Sequence, residues 1–475
     1  MTPPTTDAPV APAPGPSPTI TATPAPSAQA APSPGHNSAR TPAGALDLWT
    51  LLPLVATVLL LALPVPGAGT PGSGGALPAD LASGVAVLSC LVRLWARRVR
   101  PLPGGAALVA GLAVTGFAVA TVTASDPVAA VPGFVRYLQI FVLVPLAVCL
   151  TIRDARGFRL LTAALVLLAL VQGFIGIRQF ATGTGASYMG EEVRAVGTFG
   201  PGDIMGMATV VAYGLLAAVP YALCPPASAR RWLRPCALAV TVGLLVALAV
   251  SFSRGSWIAT ALAALTVVVL TGRRTATRSL LVLGALSVVL VGGFGIGSDM
   301  VRERLSSVTD VAQAPDRSVN DRYTLWQAAG SMWRERPATG VGLKGFPEYR
   351  DGHASIGLSS GSDTEGAGQA FRKQTLLSPH NMYLLVLGEQ GLIGFVTVVG
   401  GWLAVLVASV RALFLARRGR TGAVDCGLVA VGLVVWQAVD FLYSDIGGPT
   451  TVLTGVVLGL GAWWALAAPQ RAAGA

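Results

Sequence analysis

Twelve long apolar runs punctuate the sequence, and they limit what the chain can fold into more than any other feature. They lie near residues 46–65, 77–96, 105–124, 131–151, 157–177, 203–223, 235–252, 255–271, 279–297, 381–415, 422–443 and 449–468. A helix needs about 20 apolar residues to cross the hydrocarbon core of a bilayer. Inside that core every backbone polar group must be paired within the protein, which favours helices. The runs therefore predict an all-α, polytopic membrane protein with about 12 transmembrane helices. With 53% hydrophobic and 12% charged residues, the chain has too much apolar surface for an ordinary water-soluble domain.

Loop charge predicts an orientation. With the N-terminus inside, five inner connections carry seventeen arginines: Arg93, Arg97, Arg98 and Arg100; Arg153, Arg156 and Arg159; Arg230, Arg231 and Arg234; Arg273, Arg274 and Arg278; and Arg411, Arg417, Arg418 and Arg420. The short outer connections carry almost none beyond Arg178, Arg194 and Arg254. The positive-inside rule then places both termini in the cytoplasm of a cell whose cytoplasmic membrane holds the protein. The first 45 residues contain twelve prolines among Ala, Thr and Ser, a composition expected to form a disordered cytoplasmic tail. Its first arginine is Arg40, so no basic region of a signal peptide opens the chain, and the first apolar run is expected to remain as an anchor.

The resulting scheme is a tail over 1–45, transmembrane helices one to nine over 46–297, a large extracytoplasmic loop over 298–379, helices ten to twelve over 380–468, and a short cytoplasmic tail over 469–475. The basic surplus is 33 Lys+Arg against 22 Asp+Glu, but the aromatic residues lie inside apolar runs and do not alternate with the positive charges. Lipid phosphate suits that surplus better than nucleic acid. Cys90, Cys149, Cys224, Cys236 and Cys426 lie in or beside apolar runs with no C-x-x-C spacing, which predicts neither a disulfide framework nor a zinc site.

A loop as long as 298–379 is usually functional or disordered. Within it, the stretch from Asn320 to Arg336 reads as a helix opened by Asn320 or Asp321 and stopped by Pro337. Arg322, Trp326, Ala329 and Trp333 share one face of that helix. The face suits either a helix lying at the lipid surface with its arginine directed at phosphates, or one packed on its neighbours.

Three outer features carry candidate chemistry. In SFSRGSW, Arg254 sits in a tight turn between two apolar runs, where a cation is costly unless it snorkels or serves a function. Arg322 in NDRYTLW is followed by PATGVGLKGF, whose Gly340, Gly342 and Gly345 let the backbone bend sharply. In SPHNMYLLVLGEQGLIGF, His380 follows Pro379 and opens an apolar helix. His36 lies in the Pro-rich tail and His353 in a Gly/Ser-rich part of the loop, so His380 is the histidine with a rigid address. An imidazole there can take a proton from a hydroxyl at neutral pH. In a continuous helix Glu389 points about 180° away from His380, which assigns it a structural role unless the helix breaks before it.

Taken in order, RAVGTF, SRGSW, DRYTLW with PATGVGLKGF, and HNMYLLVLGEQGLIGF resemble the O-antigen ligase and polymerase superfamily over roughly Arg194 to Ile393. The twelve-helix layout with one large outer loop is similar too, and resembles metal-independent membrane glycosyltransferases of the GT-C-like kind. The resemblance implies transfer of a glycan from a polyprenyl-diphosphate carrier to a hydroxyl of a glycan, lipid or protein acceptor, outside the cytoplasm and with no cofactor. It places the family's histidine on His380 and its arginines on Arg322 and Arg254, with Arg194 a further cation for the donor diphosphate. Asn381, Glu389, Trp326, Gly340 and Gly342 fall in supporting positions. Where the family usually has a Pro-Asn pair after GTF, this chain has Pro201, Gly202 and Asp203.

The residues agree with that chemistry on their own terms. A departing diphosphate gathers negative charge, which fixed guanidinium groups stabilise through bidentate hydrogen bonds. No metal is expected, because the first outer loop offers only Asp80, although Asp363 and Glu365 keep the question open at this stage. Two other classes stay open: a transporter of small anions or lipid-linked saccharides, in which Asp440 and Arg136 would be the intramembrane charges, and a scaffold with no chemistry. Ligase and polymerase are not separable, because they differ in what presents the acceptor hydroxyl.

Overall fold

Each of the twelve apolar runs overlies helix. The computed structural model describes residues 43–64, 78–97, 102–188, 194–200, 203, 205–226, 229–288, 317–354, 362–366, 372–374, 377–418 and 423–473. The Pro-rich stretch before residue 43, residues 289–316 with the end of the ninth apolar run, and Pro201 and Gly202 lie outside the described residues. The helices are α1 (Ala43–Leu59), α2 (Pro78–Arg97), α3 (Gly104–Val122), α4 (Pro127–Leu138), α5 (Val144–Thr151), α6 (Ala155–Thr182), α7 (Gly206–Leu223) and α8 (Leu233–Ala249). They continue with α9 (Arg254–Leu270), α10 (Arg273–Val288), α11 (Arg317–Glu335), α12 (Phe346–His353), α13 (Met382–Arg418), α14 (Val424–Asp440) and α15 (Thr451–Ala473). Among the described residues six helices are long and apolar enough to cross a membrane, α4 and α5 counting as one, and four more apolar helices are shorter.

Local chemistry sets the ends. Asp126 caps α4 by accepting the Val128 and Ala129 N–H groups, with Pro127 at the first helical position. A π-helical turn at Gln139–Leu143 carries α4 into α5. Asp154 caps α6, and Gly183 ends it in the left-handed conformation.

Small residues let the helices approach closely, as membrane helices require. A Cβ added at Gly459 of α15 would lie 2.5 Å from the Val148 side chain, and one at Gly214 of α7 would lie 2.2 Å from Ala169. Helix α7 is buried along most of its length.

The helix predicted over Asn320 to Arg336 forms as α11, starting three residues earlier. Leu325, Ala328, Ala329 and Met332 are buried, and Ala329 faces Gly388 of α13. Trp326 Nε1 donates to the carbonyl of Pro379 at 2.9 Å. One face of α11 therefore packs against α13, because small residues on both helices permit contact, and the indole N–H finds an acceptor inside the protein. A small antiparallel sheet joins Ala186–Tyr188, just after α6, to Ser362–Gly366 and Arg372–Gln374 of the large loop.

Candidate functional site

The two glycine-rich motifs of the large loop and of α13 interlock. Helix α13 loses helical geometry at Gly391, where φ is 61° and ψ is −161°. Such a break strands backbone groups that would otherwise bond within the helix. The segment after α11 satisfies them: Val341 N donates to Gly388 O, Gly342 N to Glu389 O, Leu392 N to Pro337 O and Ile393 N to Ala338 O, at 2.9–3.1 Å. Gly340 and Gly391 adopt φ of 67° and 61°, and a Cβ at either would lie 2.4 Å from the opposing backbone. Gly342 (φ 102°) similarly leaves room for Ala124, between α3 and α4. The break falls after Glu389, whose Oε1 accepts the Phe346 N–H at 3.2 Å.

Above this clasp the chain turns the corner that carries His380. Trp326 holds Pro379 from one side. Asn381 caps α13, its Oδ1 accepting the Leu384 N–H at 3.0 Å while Nδ2 donates to Leu442 O at 2.8 Å. Met382 N donates to both Phe441 O and Ser444 O. Between these anchors His380 adopts φ 48°, an unusual conformation for a residue with a side chain and one found often at functional positions.

His380 stands between opposite charges. Burial holds its imidazole below the usual histidine range; the nearby Asp445 carboxylate raises it and the Arg322 guanidinium lowers it. Asp445 is also within electrostatic reach of Glu389 and of Tyr137 on α4. Its Oδ2 is buried with no hydrogen-bond partner among the described residues.

The other two arginines reach the same end of the molecule. Arg254 is exposed at the first position of α9, where Ser253 caps the helix by accepting the Ser256 N–H. The next residue, Gly255, packs against the ring of Tyr443, two residues before Asp445. Arg194 pairs its backbone with Ala186, and Ala195 N donates to Val250 O at the foot of the SFSRG turn. Asp203 lies against Gly448. The turn at 441–448 thus borders the His380 corner, the Arg254 turn and the segment that follows Arg194.

Sequence reading missed that turn and Asp445 with it. The available signal was a short connection, FLYSDIGG, that places an acid between two glycines and the end of an apolar run. The other expected residues are engaged elsewhere. Asp80 pairs with Arg136 at 2.5 Å, and His353 pairs with Glu335 at 2.8 Å, outside the cluster. The side chains of Asp363 and Glu365 lie outside the described residues. Among the described residues no three His, Cys, Asp or Glu side chains converge as a metal-binding set.

Comparison with known families agrees with the motifs. The family model described as O-antigen ligase matches residues 239–399. That stretch runs from α8 through Arg254, Arg322 and His380 to just past the kink at Gly391. The resemblance to the O-antigen ligase superfamily is therefore shown across it, while RAVGTF with Arg194 lies outside. No match is found among curated proteins.

Proposed function

We propose, on the premise that this membrane protein carries an O-antigen ligase core, that it transfers a glycan from a polyprenyl-diphosphate carrier to an acceptor hydroxyl. The reaction takes place on the extracytoplasmic face of the cytoplasmic membrane, in the assembly of cell-surface polysaccharide, with twelve helices crossing the membrane and both termini in the cytoplasm. The observation that carries this reading is the His380 corner, where an imidazole of lowered basicity stands beside a guanidinium and is fixed by contacts from α11, α13 and the 441–444 turn.

In the reaction, the acceptor oxygen attacks the anomeric carbon of the donor sugar as its proton passes to His380. The bond from that carbon to the diphosphate oxygen breaks, and the electron pair leaves with the phosphate. Arg322, Arg254 and Arg194 stabilise the charge that develops there, which is where fixed donors accelerate a reaction most. His380 is neutral at the outset because burial disfavours its charged form. A single displacement inverts the sugar carbon and needs neither a metal nor a covalent intermediate.

Reconstituted protein, supplied with polyprenyl-diphosphate oligosaccharides of several compositions, tests this with and without EDTA. Transfer that survives EDTA and is lost in folded His380→Ala and Arg322→Ala is the expected result. Failure of transfer with every donor, together with solute movement across the same vesicles, would replace the enzyme by a transporter. A product of retained configuration would overturn the single displacement.

A further inference from the structure

Helix α6 devotes a strip of its surface to holding the segment that follows Arg194. Gln172, Gly176 and Gln179 stand at i, i+4 and i+7 and so share one face. Gln179 Oε1 accepts the N–H groups of Val196 (3.0 Å) and Gly197 (2.8 Å), while its Nε2 donates to Gly197 O at 2.8 Å. Gln172 Oε1 accepts the Thr198 N–H at 2.9 Å, and its Nε2 donates to Thr198 Oγ1 (2.7 Å) and to Leu61 O (3.0 Å). Between them Gly176 admits Ala195, whose Cβ would lie 3.1 Å from a Cβ added there.

The fit is exact on the other side as well. Gly197 adopts φ 63°, and a Cβ on it would lie 2.2 Å from Gln172 Oε1, so only glycine admits the amide. Both glutamines belong to a helix long and apolar enough to cross a membrane, and Gln172 is fully buried. Polar side chains within such an apolar helix are costly and mark function unless packing alone explains them. Each amide here is spent on the backbone of a loop, in the way a neighbouring strand would pair with it. The loop enters the site through Ala195 N, which bonds to Val250 O beside the Arg254 turn.

We infer that Gln172 and Gln179 are positioning residues, which hold the segment 195–198 so that Arg194 meets the diphosphate of the donor. The inference rests on the glycosyl-transfer reading and adds two residues to it. The clamp acts through Arg194 alone, so its loss weakens diphosphate binding and leaves the acceptor side untouched.

The test uses the full-length protein, with inorganic pyrophosphate as the probe and its binding measured directly, beside transfer kinetics. Gln179→Met keeps the length and loses all three hydrogen bonds. Gln179→Glu retains the two accepted bonds, and it keeps the test decisive if the methionine variant folds poorly. Gln179→Met is expected to weaken pyrophosphate binding about tenfold and raise the donor KM, with the acceptor KM unchanged. Gln179→Glu should fall between it and the unsubstituted protein. Arg194→Ala should weaken binding to the same degree, and the double variant no further, as residues acting through one contact are not additive.

A purely structural role predicts lower thermal stability with unchanged pyrophosphate affinity in the folded fraction, and that result overturns the clamp. So does additivity of the two substitutions. Pyrophosphate that binds equally to unsubstituted protein and Arg194→Ala overturns the role of Arg194 and the clamp while leaving His380 and Arg322 untouched. Absence of pyrophosphate binding in the unsubstituted protein overturns the diphosphate site itself.

Discussion

In the proposed reaction His380 is the base, and its surroundings make its titration predictable. Because burial and Arg322 lower its pKa below 6.5, the base is already neutral at pH 7. Transfer should be flat across neutral pH and fall only in acid, where the imidazole takes up a proton. Asp445 opposes that shift, so Asp445→Asn should move the acid limb of the rate profile to lower pH. Arg322→Gln should move the limb of its residual activity to higher pH. A profile in which both substitutions shift the limb the same way would contradict the electrostatic placement of His380. His380→Ala itself should cost about 10²–10⁴ in rate, the usual contribution of a general base. His380 and Arg254 stood out in the sequence because each is a polar residue bounding an apolar run, while Arg322 and Arg194 stood out through the motifs that contain them. Asp445 carried only the weak signal of an acid in a short connection, because what distinguishes it is its nearness in space to a histidine 65 positions earlier in the chain.

At the scale of elements, the clasp between the loop after α11 and the kink of α13 links the helix bearing Arg322 to the helix that follows His380. Gly391→Ala forces a side chain into φ 61° and against the Ala338 carbonyl carbon at 2.4 Å. Backbone strain alone costs on the order of 1–3 kcal/mol. The variant should therefore melt at a lower temperature than the unsubstituted protein in detergent. Gly400→Ala on the same helix provides the control: its added Cβ meets nothing within 4 Å, and alanine's helix propensity should leave stability equal or higher. Equal melting of both variants would mean that the kink is not maintained by the glycine. The sequence indicated that PATGVGLKGF can bend sharply, but not that α13 kinks at Gly391. It did not show that each segment supplies the hydrogen-bond partners the other lacks, because backbone pairing between remote segments leaves no mark on side-chain composition.

Across the whole molecule, contacts gather the predicted outer connections at one end and the arginine-rich ones at the other. At the first end Leu61, Ala124, Ala195, Val250, the large loop and the 441–448 turn are joined by hydrogen bonds and close packing. At the second, Arg93 donates to Thr151 at 2.8 Å, and Arg159 forms a bidentate pair with buried Asp425 at 2.7 and 2.9 Å. Asp425→Asn leaves the partly exposed Arg159 guanidinium facing a neutral amide across α6 and α14, which removes one charge of the pair. Thermal unfolding should report a clear drop. The orientation is tested by cysteines placed at Asp351 and, separately, at Arg274 in a background with the native cysteines replaced. A membrane-impermeant maleimide applied to intact cells should label the first and not the second; the opposite pattern would invert the topology.

That the chain is built of apolar helices, and where they lie, was legible from the sequence because burial in lipid acts on each segment separately: an apolar run of sufficient length becomes a helix whatever its neighbours do. His380 and Arg254 stood out as candidates because a polar group at the edge of such a run is expensive. Only the tertiary structure decided that α11 packs inward, that Asp445 faces His380, and that two glutamines of α6 grip the backbone after Arg194. Those arrangements depend on which helix ends meet, and that is fixed by complementary small residues and shared hydrogen bonds between segments far apart in the chain.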